Sequence, residues 1–319
     1  MNMRETIPQP LMRGELHLNE PMSRHVSWRA GGIAKRFYKP IDLADLCAFI
    51  VTVPIDEPIL FVGLGSNLLV RDGGFNGTVV LMTPAIGGIA LDENDASIVV
   101  AGAGAASPHV AKFAAKHHLQ SAEWLAGVPG TIGGALAMNA GCYGTEMWEQ
   151  VVDCVTIDRH GTLHTRTPTD FEIAYRHVAL VERSALRVER RALGAGKNAE
   201  FFISARLRFQ PGDAATALAN IKALLAKRMA AQPLDKPNAG STFRNPPGDY
   251  AARLIESCGL KGHRIGGAEV STKHANFIIN RGNATATDIE SLIAHMQCVV
   301  KTKTGVDLVR EVRIVGCAV

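Results

Sequence analysis

Residues 123–144, EWLAGVPGTIGGALAMNAGCYG, decide how this chain is read. Glycine stands at positions 127, 130, 133, 134, 141 and 144 of that run. Each glycine inside a helix or strand costs roughly 0.5–1 kcal/mol relative to alanine, so an ordinary element is not built this way. The run makes sense where backbone takes positive φ or closely approaches another group. Free N–H groups in a glycine turn, above all one that opens a helix, form a cradle for an anion. Val128-Pro129-Gly130-Thr131 reads as a turn, with Pro129 setting φ and Gly130 supplying the left-handed position. A large ligand carrying a diphosphate is one guest that fits. A tight corner between packed layers uses the same glycines, and their number alone leaves both readings open.

Upstream, Pro58–Val62 is a buried strand that runs into Gly63-Leu64-Gly65-Ser66-Asn67-Leu68, and Ile98–Ala101 runs into Gly102-Ala103-Gly104. Both look like the start of a Rossmann unit. Both fail its fingerprint, because Leu68 and Ser107 stand where the third glycine belongs.

The order of residues in GVPGTIGGALAMNAGCYG (127–144) and GLGSNLLV (63–70) closely resembles the flavin-binding segments of the UDP-N-acetylenolpyruvoylglucosamine reductases, the MurB family. The resemblance extends from about residue 20 to 316. It implies an α+β protein whose FAD-binding domain, of the vanillyl-alcohol-oxidase (PCMH) type, is split into two α+β subdomains, 1–84 and 85–231. A C-terminal α+β substrate-binding domain, 232–319, follows, and its last strand returns to the active site. The resemblance carries FAD contacts onto Gly63, Gly65, Ser66, Asn67 and Leu68 around the diphosphate. It also carries them onto Gly127, Val128, Pro129, Gly130, Thr131, Gly133, Gly134, Asn139 and Gly141.

Further motifs carry the same resemblance. Tyr175-Arg176 corresponds to the pair at the family's active site, with the arginine facing the enolpyruvyl group. His177 follows where the family usually has a serine close by, and the segment to Phe201 is longer than is typical. Asn238–Pro246 (NAGSTFRNP) fits the signature GSxFxNP, with Ser241 at the proton donor and Asn245 at a substrate position. GGAEVSTKHANFIIN (266–280) resembles the substrate-domain signature of the shorter family type, which lacks an inserted tyrosine-bearing loop. His274 and Asn276 are its nucleotide-binding candidates, and a satisfied strand-end histidine is the competing reading. The ending L-x-x-E-V makes Glu311 the active-site glutamate, where the residues alone suggest a solvated Glu on a half-buried strand. Arg228, on the apolar stripe of a helix near its end, either snorkels or meets the substrate diphosphate.

The resemblance implies an enzyme of peptidoglycan precursor synthesis that reduces UDP-N-acetylglucosamine enolpyruvate to UDP-N-acetylmuramate. NADPH reduces FAD, flavin N5 delivers hydride, and Ser241 supplies a proton while Arg176 and Glu311 serve the forming anion. Two alternatives compete: an FAD oxidoreductase of the same fold acting on another substrate, and a non-catalytic UDP-sugar-binding protein.

Local signals outline the remaining elements. Asp42 caps a helix from Leu43 to about Val51, and Asp213 caps Ala214–Ala231 with Leu218, Ile221 and Leu225 on one side. Ser107-Pro108 is read as cap and first turn of another helix, with Val110, Phe113, Ala114 and His117 inward. Thr287 with Glu290 suggests a capping box for the last helix, and Val306–Val315 a final strand of period two. Arg71–Phe75 reads as a hairpin-like turn. Arg29 beside Gly31-Gly32 suits either a phosphate contact or a plain turn before the strand Ile33–Tyr38.

At 319 residues with net charge +4, the chain suits anionic small ligands and shows no clustered basic face for nucleic acid. The most basic stretch, Arg183–Lys197, is interleaved with Glu182 and Glu189 and reads as solvated surface. Residues 1 to about 20 read as a loose polar arm without a secretory h-region. No apolar run reaches 18 residues, so no membrane span is expected. Six scattered cysteines without a CxxC pair fit reduced thiols in the cytoplasm. His109, His117 and His118 lack the spacing of a metal site. A monomer is expected.

Overall fold

A computed structural model describes residues 12–184, 187–192, 196 and 199–319. Residues 1–11 of the N-terminal arm, and 185–186, 193–195 and 197–198 of the basic stretch, lie outside the described residues.

The first layer holds β1 (Glu15–Pro21), β2 (Ile33–Lys39), β3 (Ile59–Val62), β4 (Leu68–Val70) and β5 (Phe75–Leu81). Four of them form a sheet in the order β1-β2-β5-β3, in which β2, β5 and β3 run parallel. Parallel strands need a crossover, and α1 (Leu43–Ile50) carries the chain from β2 to β3, which flank β5. As expected, Asp42 caps this helix by accepting the Asp45 N–H at 2.8 Å. Tyr38 stacks on Phe49 with ring centres 3.7 Å apart, which docks the helix on the sheet.

β4 does not join this sheet. The turn at Arg71–Gly74 is real, with Gly74 at φ +83, but it makes no hairpin. It sends β4 and β5 into different sheets, and β4 pairs in parallel with a strand from the far end of the chain.

The second layer is an antiparallel sheet. Its strands are β6 (Ile89–Leu91), β7 (Ile98–Gly102), β8 (Val151–Asp158), β9 (Leu163–Arg166) and, after the three-stranded meander β10 (Phe171–Ala174), β11 (His177–Ser184) and β12 (Arg187–Ala192), β13 (Glu200–Arg208). The order is β9-β8-β13-β7-β6. The alternating residues of 151–157 and 201–209 thus sit on adjacent antiparallel strands. The meander takes up the long segment after Arg176. Helices α2 (Ser107–Lys116) and α3 (Ile132–Met138) pack against this layer, and α4 (Ala214–Ala231) packs on α2. One apolar core runs from Phe49 and Ile59 through Val99, Leu136 and Phe202 to Ile221, so it crosses the 84/85 division without a break.

The C-terminal part comprises α5 (Ala251–Ser257), β14 (Arg264–Ile265), β15 (Ala268–Val270), β16 (Ile278–Asn280), α6 (Ala286–Thr304) and β17 (Arg313–Val315). α6 buries Ile289, Leu292, Ile293, Met296 and Val300, each worth roughly 1.5–3 kcal/mol if fully removed from water. This core is separate but includes Trp28 and Leu69. The Trp28 indole N–H donates to the Ile278 carbonyl at 2.8 Å, and the Asn280 amide donates to the Trp28 carbonyl at 2.8 Å.

Several local expectations are corrected. The capping box of α6 is Thr285 with Asp288, not Thr287 with Glu290. Thr287 instead donates to Asp72, and Glu290 pairs with Arg71, because β4 lies against this helix end. α2 is capped at Ala106, and Ser107 sits inside the first turn with its hydroxyl buried and unpartnered. His117 is exposed at the end of that helix. On α4, Ala217 and Ile221 are buried, whereas Leu218 is exposed. The final strand spans only Arg313–Val315, since 306–312 is held by irregular contacts such as the Phe243–Arg310 bridge. Among the described residues, no cluster suits a metal ion and no helix is long and apolar enough to cross a membrane.

Candidate active site

A cleft of about 640 Å³ lies where the three parts meet. Its first wall is the loop Gly63–Leu68 at the end of β3, and its second is Gly127–Thr131 running into α3. The two loops touch. A Cβ on Gly63 would lie 2.3 Å from the Thr131 hydroxyl, and one on Gly130 would lie 3.3 Å from the Ser66 hydroxyl. Gly65 takes φ +59, the left-handed region, where a side chain is strained. Gly133 sits against Ala103, so the second strand-plus-glycine unit also packs here.

The backbone N–H groups of Gly65, Ser66, Asn67, Gly130 and Thr131 donate to no acceptor among the described residues. Buried backbone donors are nearly always paired. A row of free ones around a cleft is the chemistry of an anion cradle. The residues therefore fit a ligand with a diphosphate, as FAD has. Gly134, Gly141 and Val128 line the same space.

The opposite wall brings together Arg176, Arg228, Ser241 and Glu311, which are widely separated in sequence. Arg176 adopts φ +54, unusual for a residue with a side chain. Its Nε donates to the Glu311 carboxylate at 2.7 Å, and its two Nη groups donate to the carbonyls of Asn139 at 3.0 Å and Gly141 at 3.1 Å. The two side chains are only 14% and 16% exposed. Burial pushes the Glu311 carboxyl above the usual glutamate range, against the pull of Arg176 and Arg244. Ser241 is half-buried at the cleft, and the next residue accepts the Glu311 N–H at the Thr242 carbonyl, 2.9 Å away. Arg228 donates to the Gln232 side chain at 2.9 Å, and burial pushes its guanidinium below the ordinary value. Arg228 is thus a cleft residue rather than a solvent-seeking one.

Five expected site residues lie outside the lining of the cleft. Asn139 is buried; its amide donates to Glu146 and to the Ala174 carbonyl, and it accepts from the Trp148 N–H. Its side chain supports the loop beneath Arg176. Asn276 accepts the Phe243 N–H and donates to the Phe243 carbonyl, holding the Ser241 loop in place. Asn245 accepts from the Ala251 N–H at the start of α5. His274 accepts the Asn276 N–H and packs edge-on against Phe277, as a satisfied strand-end histidine does. Tyr175 is exposed, with its ring 4.9 Å from the Arg176 guanidinium carbon. Arg29 also lies away from the cleft.

Arg310 and Arg313 line the cleft and were not singled out from the sequence. Neither has an ion-pair partner among the described residues. A single arginine on a short strand carries no local signal; only the pairing of β17 with β4 brings Arg313 beside the Gly63–Leu68 loop.

Fold and cleft together define a flavoprotein oxidoreductase. A family model described as an FAD binding domain matches residues 36–166, and one described as the UDP-N-acetylenolpyruvoylglucosamine reductase C-terminal domain matches residues 232–315. The chain is 53% identical over 318 residues to the UDP-N-acetylenolpyruvoylglucosamine reductase of Thiobacillus denitrificans, covering 96% of this chain and 94% of that one. It is 50% identical over 307 residues to the protein of that name from Legionella pneumophila (strain Corby), covering 96% and 94%. The crystal structure of the MurB reductase from Thermus caldophilus superposes with a TM-score of 0.73 at 28% identity, covering 96% of this chain and all of that one. The chain belongs to the UDP-N-acetylenolpyruvoylglucosamine reductase family. It is an FAD-containing enzyme with the expected α+β architecture, an FAD-binding domain followed by the family's C-terminal domain.

Proposed function

We propose that this chain reduces UDP-N-acetylglucosamine enolpyruvate to UDP-N-acetylmuramate with NADPH, in the cytoplasmic synthesis of peptidoglycan precursors. The observation that carries the reading is convergence. Ser241, Arg176 and Glu311, from three distant stretches, line one cleft with both glycine loops. An oxidoreductase with another substrate has no need of all three, and a binding protein has no need of a flavin.

FAD bound in this cleft would supply the hydride chemistry that side chains lack, with NADPH as the reductant and the vinyl carbon as the acceptor. The free N–H groups of residues 65–67 and 130–131 would hold the cofactor's diphosphate. Arg176 stabilises the negative charge that builds on the substrate carboxylate. Its three protein contacts fix it in advance, so little reorganisation is needed as that charge develops. Glu311, whose carboxyl burial pushes above the usual glutamate range, accepts the Arg176 Nε–H and so fixes that guanidinium beside the same group. Ser241 hands its proton to the α carbon. A serine is a weak acid, and the cationic lining to which Arg310 and Arg313 contribute favours the alkoxide it leaves behind. Arg228 binds the substrate diphosphate.

The test is direct. The purified protein should be yellow and should bleach on NADPH addition, and colour should return anaerobically when the enolpyruvyl sugar nucleotide is added. Ser241→Ala should keep the bleaching rate within about twofold and lose most product formation, since one acid–base group contributes roughly 10²–10⁴-fold. A folded, colourless protein, or equal loss in both steps, overturns the assignment.

A further inference from the structure

The GSTFRNP loop contains a cation that neither the serine nor the asparagine role explains. Arg244 sits three residues after Ser241 and lines the cleft. Its own N–H donates to the Val309 carbonyl at 2.9 Å, which ties its backbone to the segment carrying Glu311. Its Nη2 reaches across and donates to the carbonyl of Arg176 at 3.0 Å. Its Nε is buried with no partner among the described residues. Arg176, meanwhile, holds φ +54, a conformation that persists only where surroundings enforce it. The guanidinium of Arg176 is fixed by Asn139, Gly141 and Glu311. Its peptide needs a separate anchor, and Arg244 provides one from the C-terminal part of the chain.

We infer that Arg244 is a positioning residue for the reduction: it clamps the left-handed Arg176 peptide by its carbonyl and thereby aims the Arg176 guanidinium at the substrate. The inference rests on the role given to Arg176 above. The clamp joins the FAD-binding part to the C-terminal part at the one residue whose orientation the chemistry needs. A lysine can reach the same carbonyl but cannot keep a planar fork against it, so it restores the clamp only in part. The unpartnered Nε–H leaves the head held on one side.

The two half-reactions test this on the FAD-loaded enzyme. In Arg244→Met, anaerobic reoxidation by the enolpyruvyl sugar nucleotide should slow by about tenfold or more, as for loss of one oriented electrostatic group. Bleaching by NADPH should stay within about twofold. Arg244→Lys should fall between wild type and Arg244→Met, and kcat should change more than KM. If Arg244→Met does not retain FAD, Arg244→Lys carries the test through the same two rates. In an Arg176→Lys background, Arg244→Met should add less than twofold, because a residue acting through another loses its effect when that partner is gone. Equal slowing of both half-reactions, no slowing of either, or full additivity with Arg176→Lys overturns the inference. A wild-type enzyme that is not reoxidised by this substrate refutes the proposed function instead, so the two failures are distinguishable.

Discussion

Gly63 offers the cleanest probe of the cofactor cradle. Its φ lies outside the left-handed region, so Gly63→Ala imposes no backbone strain and acts through volume alone. The new Cβ would meet the Thr131 side chain at 2.3 Å from Oγ1, 2.7 Å from Cγ2 and 3.0 Å from Cβ. Carbon atoms rest at about 3.5–4.0 Å, so the loops must part by roughly 1 Å. Thr131 has no easy escape: it is buried at the N-cap of α3, and β-branching restricts its χ1. Overpacking of this kind costs about 1–3 kcal/mol. Because the cradle needs both loops in place, most of that cost falls on the FAD complex, a loss of roughly 5- to 150-fold in affinity at 1.4 kcal/mol per decade. Titration of apoprotein with FAD, followed by flavin fluorescence, measures it. The second variant sharpens the test. The Thr131 side chain makes no capping hydrogen bond, so Gly63→Ala with Thr131→Ala removes the two nearest clashes at no cost to the helix and should recover much of the affinity. A Gly63→Ala protein that binds FAD within twofold of wild type, or a double variant no tighter than the single, refutes the reasoning.

Other outcomes follow from specific contacts. Asp72→Ala removes the acceptor of the Ala286 and Thr287 N–H groups at the start of α6; thermal unfolding should show a loss of about 1–2 kcal/mol, the size of a lost cap. Burial, then the Asp45 carboxylate, raises the Tyr38 hydroxyl from 10.0 to about 12. The fold favours its neutral form, so this stability is complete below pH 10 and is lost as pH rises toward 12; denaturant unfolding across that window should fall for wild type and flatten in Tyr38→Phe. Burial pushes the Cys154 thiol up to about 12, whereas Cys298 and Cys317 are exposed; a thiol-titrating reagent at pH 8 should count two fast cysteines, with Cys154 reacting only on unfolding.

Much of the architecture was legible because it rests on residues with few other uses. Glycines at 63, 65 and 133 announce close backbone approach, and each lies against a neighbour that leaves little room for a side chain or in a positive-φ turn; Gly130, read as the left-handed position of its turn, does not take positive φ and has only the Ser66 hydroxyl 3.3 Å from where a Cβ would sit. Asp42 and Asp213 accept the N–H groups their position promised. The α6 cap was misplaced by two residues because Thr285/Asp288 and Thr287/Glu290 share one spacing. The choice is settled by Asp72 and Arg71, more than two hundred residues away. Asn139 and Asn276 illustrate a second limit. A polar residue in a binding motif can serve the ligand or the loop, and both readings have the same sequence. Here both side chains bond groups of the protein itself, Asn139 to the Glu146 carboxylate and two backbone groups and Asn276 to the Phe243 backbone. Arg244, Arg310 and Arg313 had no local signature, since their meaning comes from strands and bridges formed by the far end of the chain.

That far end has a consequence for when the protein becomes functional. The loop at 63–68 is made early in synthesis, yet the Asn67 amide donates to the Glu311 carbonyl, 244 positions later, and β17 lies alongside β4. A nascent chain therefore holds half a pocket while the ribosome is still at work. The cleft reaches its final form only once residues 311–315 are seated beside that loop, so its wall is finished by the last stretch of the chain to be made.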